Sequence, residues 1–194
     1  MRNEFRVNVL PVCTFAVFVL TFFSCNNDRI KREIVNFSSC DVVIPEYRML
    51  ELRCSIVTDS LDAYPLVVVD FKEMKSCSNC VIAEIAGSER RALSEDNCGT
   101  FGVLHIISAN AEDSALVYRN LCRERVRGVV LLDTCNAFMA ANPLFPSSPL
   151  LHTFVMDRRG KVLLVGNPFS GEKMKSMFDK IVEEHRNAVT QQVE

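Results

Sequence analysis

Apolar and polar positions along this chain fall into blocks of two different periods. Residues 66–69, 101–107 and 129–132 are near-continuous apolar runs of strand length, the pattern of strands covered on both faces. Helical stripes lie between them. After the first run Ile82, Ile85 and Ala86 can share one helical face, and within 111–126 Ala115, Tyr118, Leu121 and Cys122 recur at helical spacing, with Asn110 as the expected N-cap. Residues 151–156 and 161–165 flank the turn Asp157-Arg158-Arg159-Gly160 and predict a hairpin. Met174, Met177, Phe178, Ile181 and Val182 mark a last helix from about Gly171, with one face for a sheet and fraying expected past Arg186. Shorter strands are expected at 41–44 and 50–57, separated by Pro45, and 142–149, with Pro143, Pro146 and Pro149, reads as an irregular loop. The order strand, helix, strand, helix, strand, hairpin, helix predicts an α/β fold, a mixed central sheet with helices on both faces.

The N-terminal block has another character. Arg2 and Arg6 precede an apolar run over 9–23 that stops at Ser24-Cys25-Asn26-Asn27-Asp28. The run is shorter than the ~20 residues of a bilayer crossing and suits an export signal. The expected division is a signal peptide at 1–24, a polar tether at 25–33, a folded domain at 34–186 and a frayed tail at 187–194. A net charge of −2 gives no broad electrostatic reason to expect nucleic acid. Nine cysteines in a chain that carries an export signal are more telling, because thiol chemistry or disulfides are at home in an oxidising compartment. Spacing does not decide whether Cys40, Cys54, Cys98, Cys122 and Cys135 are bonded. Cys40 and Cys54 can be cross-strand neighbours or buried thiols, while Cys122 and Cys135 read as small apolar fillers, with a supporting redox role the alternative for Cys135 at its strand end.

The chemistry concentrates between the first buried strand and the first helical stripe, where Cys77 and Cys80 form a CxxC pair set among Ser76, Ser78 and Asn79. A cysteine at a helix N-terminus meets unpaired amide N–H groups and the positive end of the helix dipole, which favour the thiolate. Cys77 is thus the expected nucleophile, and Cys80, one turn further in, the more shielded, resolving thiol. The same pair could instead be half of a zinc site, a copper- or zinc-binding module that also uses His152, or a structural disulfide in a redox-inactive binding domain. No second close Cys or Cys/His pair completes a zinc site in the sequence.

Three segments in order carry a resemblance: Val67-Val68-Val69-Asp70 leading to Ser76-Cys77-Ser78-Asn79-Cys80; Asp133 through Phe138 to Asn142 and Pro146; and His152-Thr153-Phe154-Val155-Met156-Asp157 followed by Lys161 to Pro168. The chain resembles the thioredoxin fold, and within it the membrane-anchored extracytoplasmic thiol-disulfide oxidoreductases of the TlpA and ResA kind, over roughly residues 33–184. That resemblance implies a redox disulfide between Cys77 and Cys80 and no organic cofactor or resident metal. Asp70 stands where those proteins keep a buried acid that deprotonates the resolving cysteine. Leu151 occupies the position of their cis-proline, with Pro149 two residues earlier, and His152 follows it near the pair. Ser24-Cys25 resembles a lipobox, implying lipid on Cys25, a cell-envelope location facing the periplasm, and as partners protein thiols and disulfides or a membrane electron donor. Ser76 replaces the usual Trp, and Ser78-Asn79 the frequent Gly-Pro.

Overall fold

The structure is a computed structural model that describes residues 27–53, 61–75, 78–95 and 99–191. Its elements are helix α1 (27–38), β1 (Leu50–Leu52), β2 (Leu66–Glu73), α2 (Ser78–Glu95), β3 (Phe101–Ser108), α3 (Ser114–Glu124), β4 (Val129–Asp133), α4 (Ala137–Ala141), β5 (Thr153–Asp157), β6 (Val162–Val165) and α5 (Glu172–Gln191). The strands form one sheet in the order β1-β4-β3-β2-β5-β6. β2, β3 and β4 are parallel, as the helical crossovers between them require, and β5, β6 and β1 add antiparallel. This mixed sheet with helices on both faces is a thioredoxin-like arrangement, as the order of blocks along the chain predicts.

Alternation along the central strands divides the core. Val67, Val69 and Phe71 of β2, with Leu104 and Ile106 of β3, meet Phe37 of α1 and Phe138 of α4 on one face. On the other, Leu66 and Val68 meet Ala92 of α2 and Phe178 of α5, while Ile82, Ile85 and Ala86 of α2 pack with Val117 and Leu121 of α3 over Ile107, Val130 and Leu132. The near-continuous apolar runs are therefore explained by cover on both sides. Gly160, at φ 86°, closes the hairpin, its N–H donating to Asp157 O at 3.0 Å and its carbonyl accepting from Val42 N at 2.8 Å. A Cβ at Gly160 would collide with the Val42 carbonyl.

Several expectations need correction. Residues from 27 onward are helical and packed, with Ile30 and Ile34 against the core, so the stretch read as a tether enters the domain before residue 34. Residues 41–44 make only the single bridge Asp41 to Lys161, and the strand expected over 50–57 is described from Leu50 to Leu52; 54–57 lie outside the described residues. Asn110 does not cap α3: a 3-10 turn at Ala111–Asp113 intervenes and Ser114 Oγ donates to Ala111 O at 2.6 Å. Helix α4 interrupts the segment before the proline-rich loop, and α5 runs past Arg186 to Gln191. Among the described residues no helix is long and apolar enough to cross a membrane.

Candidate active site around the CxxC helix

Strand β2 leaves the sheet with Met74 N donating to Ser108 O at 2.8 Å, and α2 is described from Ser78. Ser76 and Cys77 lie outside the described residues, as do Cys25, Cys54 and Cys98. The helix starting at Ser78 immediately follows Cys77 in the chain. Cys80, on the first turn, is exposed, which corrects the expectation that its place inside the helix shields it. A helical residue is shielded only if its face is covered, and the covered stripe of α2 runs through Ile82, Ile85, Ala86, Glu89 and Ala92. Cys135 is also exposed, with Sγ toward Arg48 O at 3.7 Å, so it is not a core filler; Cys40 and Cys122 are partly buried free thiols.

Beneath α2 lies a line of buried ionisable side chains. The parallel register sets Asp70 of β2 beside His105 of β3, and antiparallel pairing sets Thr153 of β5 on its other side. Thr153 Oγ1 donates to Asp70 Oδ1 at 3.0 Å. Asp70 Oδ2 faces His105 Nδ1 at 3.7 Å, and His105 Nε2 faces Glu89 Oε1 of α2 at 3.8 Å. These are ion-pair separations, longer than hydrogen bonds. Asp70, His105 and Glu89 are 3%, 1% and 3% exposed, so none of the three can rely on water for its charge. Glu89 instead accepts backbone N–H groups from Arg127 at 2.9 Å and from Gly128. Lys72 Nζ, half-buried, stands 3.6 Å from Asp70 Oδ1 and 2.6 Å from Glu84 Oε1, a residue of α2 one turn beyond Cys80.

The electrostatics follow from this order. Burial alone would push Asp70 up, but the facing imidazole, Lys72 and the Thr153 hydroxyl together hold it below its ordinary value. Burial likewise opposes ionisation of Glu89, and His105 with the Arg127 and Gly128 amides outweighs it, leaving Glu89 lowered. Burial pushes the His105 imidazole down, yet two carboxylates on its two nitrogens leave it raised. Lys72 is raised by Asp70 and Glu84 against its own burial.

The opposite face of β2 is aromatic. His152 is buried between Phe145, at 4.8 Å between ring centres, and the edge of Phe71, at 5.4 Å, with Nε2 3.0 Å from Pro146 O. Burial lowers its pKa and favours the neutral ring, whose Nε2–H then donates to that carbonyl. His152 therefore serves the loop rather than presenting Nε2 to a metal or thiol. Leu151 is buried in the same core, and every described peptide bond, Pro149 included, is trans. Asp133 and Asn142 also have structural work: Asp133 accepts the N–H groups of Ala137 and Phe138 at 2.8 and 2.9 Å, and Asn142 exchanges hydrogen bonds with both backbone groups of Val43. Among the described residues no cluster of three His, Cys, Asp or Glu side chains could hold a metal ion.

Asp70 was legible in the sequence; its partners were not. A lone His105 inside an apolar strand and Glu89 on the apolar stripe of α2 are each a polar residue at a core position, and that signal was available.

No protein-family model matches this chain, and no curated protein matches it in sequence. Solved structures do resemble it. A candidate electron transfer protein from Aquifex aeolicus matches with a TM-score of 0.51 at 9% identity, over 77% of this chain and 99% of that one. A candidate thiol-disulfide oxidoreductase from Bacteroides vulgatus gives 0.48 at 14%, over 73% and 91%. The exposed lipoprotein thioredoxin of Streptococcus pneumoniae gives 0.44 at 19%, over 70% and 98%. At 9% identity the match to the Aquifex aeolicus structure speaks for the fold alone.

Proposed function

We propose that the protein is a thiol-disulfide oxidoreductase of the cell envelope, held to the membrane by lipid on Cys25, that exchanges disulfides through Cys77 and Cys80. The observation that carries this reading is the placement of Cys80 on the exposed first turn of α2, the helix joined through Glu84 and Lys72 to the buried Asp70 of the central strand. Cys77, which directly precedes Ser78 of α2 in the chain, is the nucleophile: its thiolate attacks a substrate disulfide, forming a mixed disulfide and releasing one substrate thiolate. Cys80 then loses its proton, attacks the Cys77 sulfur, closes the Cys77–Cys80 disulfide and expels the second substrate thiolate. Asp70 is the acceptor for the Cys80 proton. The reaction draws on no organic cofactor, and its partners are protein thiols and disulfides or a membrane electron donor.

The anchor also bears on orientation. Helix α1 is described from residue 27, two residues after Cys25 in the chain, and is pinned to the loop before β5 by Arg29 and Glu33 at Ser147 and Ser148. Lipid on Cys25 would bring that loop near the bilayer, since two extended residues span only ~7 Å.

The test is reduction of insulin by the purified protein with a dithiol as electron source, together with metal analysis. Turnover without stoichiometric metal is expected; bound copper or zinc with no turnover would overturn the reading in favour of a metal-binding module. For the anchor, Cys25→Ala is expected to move the folded protein from the membrane to the soluble fraction, and an unmodified Cys25 in the mature wild-type protein would refute it.

A further inference from the structure

We propose that His105 is a positioning residue for the exchange reaction: a buried imidazolium, clamped between Asp70 and Glu89, that keeps Asp70 an ionised base beneath the CxxC helix. The inference rests on the redox reading of Cys77 and Cys80 for its chemistry, and on the geometry of the charged line for the clamp.

A carboxyl group taken out of water prefers its neutral form, and a neutral carboxyl cannot accept a proton. A single histidine opposite Asp70 would not decide the matter, because a buried acid–imidazole pair can relax to two neutral groups by passing one proton across. Glu89 closes that route. It presents a second carboxylate to the second ring nitrogen, 3.8 Å away, and its own charge is held by the N–H groups of Arg127 and Gly128. Glu89, His105, Asp70 and Lys72 therefore alternate in sign and sum to zero, an arrangement in which every charge has opposite neighbours.

The surroundings leave few competing influences. Asp70 and Lys72 face the cluster from β2 and Glu89 from α2, while β5 contributes the Thr153 hydroxyl and β4 the apolar Val130. Gly128 passes so close that a Cβ there would stand 2.9 Å from Glu89 Oε1 and 3.3 Å from His105 Cδ2, so the chain gives up a side chain where the clamp closes. Lys72 carries the line outward to Glu84, one turn of α2 beyond Cys80. In the resolving step the Cys80 proton goes to Asp70 as the Cys77–Cys80 bond forms and the Cys77–substrate bond breaks; the departing thiolate takes a proton from water. His105 keeps its own proton throughout.

The experiment has two arms on the folded domain in its native sequence. Imidazole-selective NMR is expected to find His105 doubly protonated at pH 7.5, where an ordinary imidazole of pKa ~6.5 is only about a tenth charged. Asp70→Asn or Glu89→Gln should each lower its titration midpoint. Stopped-flow release of a chromogenic thiol from a mixed disulfide on Cys77 is expected to slow about tenfold at pH 7 in His105→Gln, with the pH midpoint displaced upward and the rate recovering in alkali. His105→Lys, which restores a positive charge, should bring the profile back toward wild type. A neutral His105 at pH 7 in the wild-type protein, or a folded His105→Gln with an unchanged pH profile, would overturn the proposal. Should His105→Gln fail to fold, Glu89→Gln is read the same way, with a smaller upward displacement expected and no displacement overturning the clamp. Absence of any exchange by the wild-type protein would sink the redox reading and this role with it, even where NMR finds the imidazolium.

Discussion

Ser147 donates its hydroxyl to Glu33 Oε1 at 2.8 Å, joining the first helix of the domain to the proline-rich loop that leads into β5. Arg29 reaches both partners, donating to Ser147 Oγ at 2.6 Å and to Glu33 Oε1 at 3.0 Å, and Ser148 N adds a bond to Glu33 Oε2. The Ser147 bond is the largest influence holding the Glu33 carboxyl below its ordinary value, against slight burial.

Glu33→Ala should therefore loosen the loop and destabilise the domain by about 1 kcal/mol at pH 7, the net worth of a hydrogen bond of this kind. A carboxyl with a lowered folded pKa stabilises above its unfolded value and loses that contribution as the pH falls through the folded one. The gap between wild type and Glu33→Ala, measured by urea unfolding, should accordingly close in acid. A gap that stays constant down to pH 3 would contradict the ionised role of Glu33.

The buried line makes the opposite demand at its centre. His105 is raised, so its contribution is complete below an unfolded imidazole pKa of ~6.5 and is lost as the pH rises through its folded value. Asp70 and Glu89 are lowered, so theirs is complete above ~4–4.5 and is lost as the pH falls. Stability should peak between these limits. Glu89→Gln leaves the His105 charge with one partner and should cost about 3–5 kcal/mol in that window, with the alkaline edge of stability moving to lower pH. Thermal melts across pH 5 to 9 would check this, and an unchanged alkaline edge would count against it.

Gly128→Ala asks whether the close approach matters by itself. Its Cβ would sit 2.9 Å from Val103 O, a backbone atom that cannot swing away, as well as 2.9 Å from Glu89 Oε1. Overpacking of this kind costs about 1–3 kcal/mol, so a melt of the variant indistinguishable from wild type would show that the helix and strand part more easily than the packing implies.

The two thiols should behave differently on mutation. Cys80→Ser is expected to attack a substrate disulfide and then remain joined to it, because no resolving thiol is left, whereas Cys77→Ser should form no adduct. Non-reducing gels of cells expressing each variant would reveal the adduct and with it the partner. The exposure of Cys80 sharpens the test: the helix terminus alone, and not shielding of Cys80, must then explain the difference. Faster alkylation of Cys80 in Cys77→Ser than of Cys77 in Cys80→Ser at neutral pH would reverse the assignment.

Much of the fold was legible because its signals are local. The apolar runs at β2, β3 and β4 and the turn at Asp157–Gly160 each fall within a few residues, and the strands and hairpin formed there. Helix α1 was not legible in that way: Ile30, Ile34, Val35 and Phe37 are scattered apolar residues in a polar stretch, and only the sheet face that Ile30, Ile34 and Phe37 cover makes their spacing meaningful. His152 was legible as a residue near the site but not as a neutral ring spanning Phe145 and Pro146, since both contacts depend on the path of the intervening loop.

The order of elements, the CxxC between strand and helix, and Asp70 on the central strand can be read along the chain, because periodicity and chain adjacency are properties of neighbours. That Asp70, Glu89 and His105 form one buried line follows from the folded arrangement, for they come from β2, α2 and β3 and meet through strand register and the seating of α2 on the sheet. The folded arrangement also decides that Cys80 faces solvent, because the turn of a helix that is covered is set by what packs against it and not by the position of a residue within it.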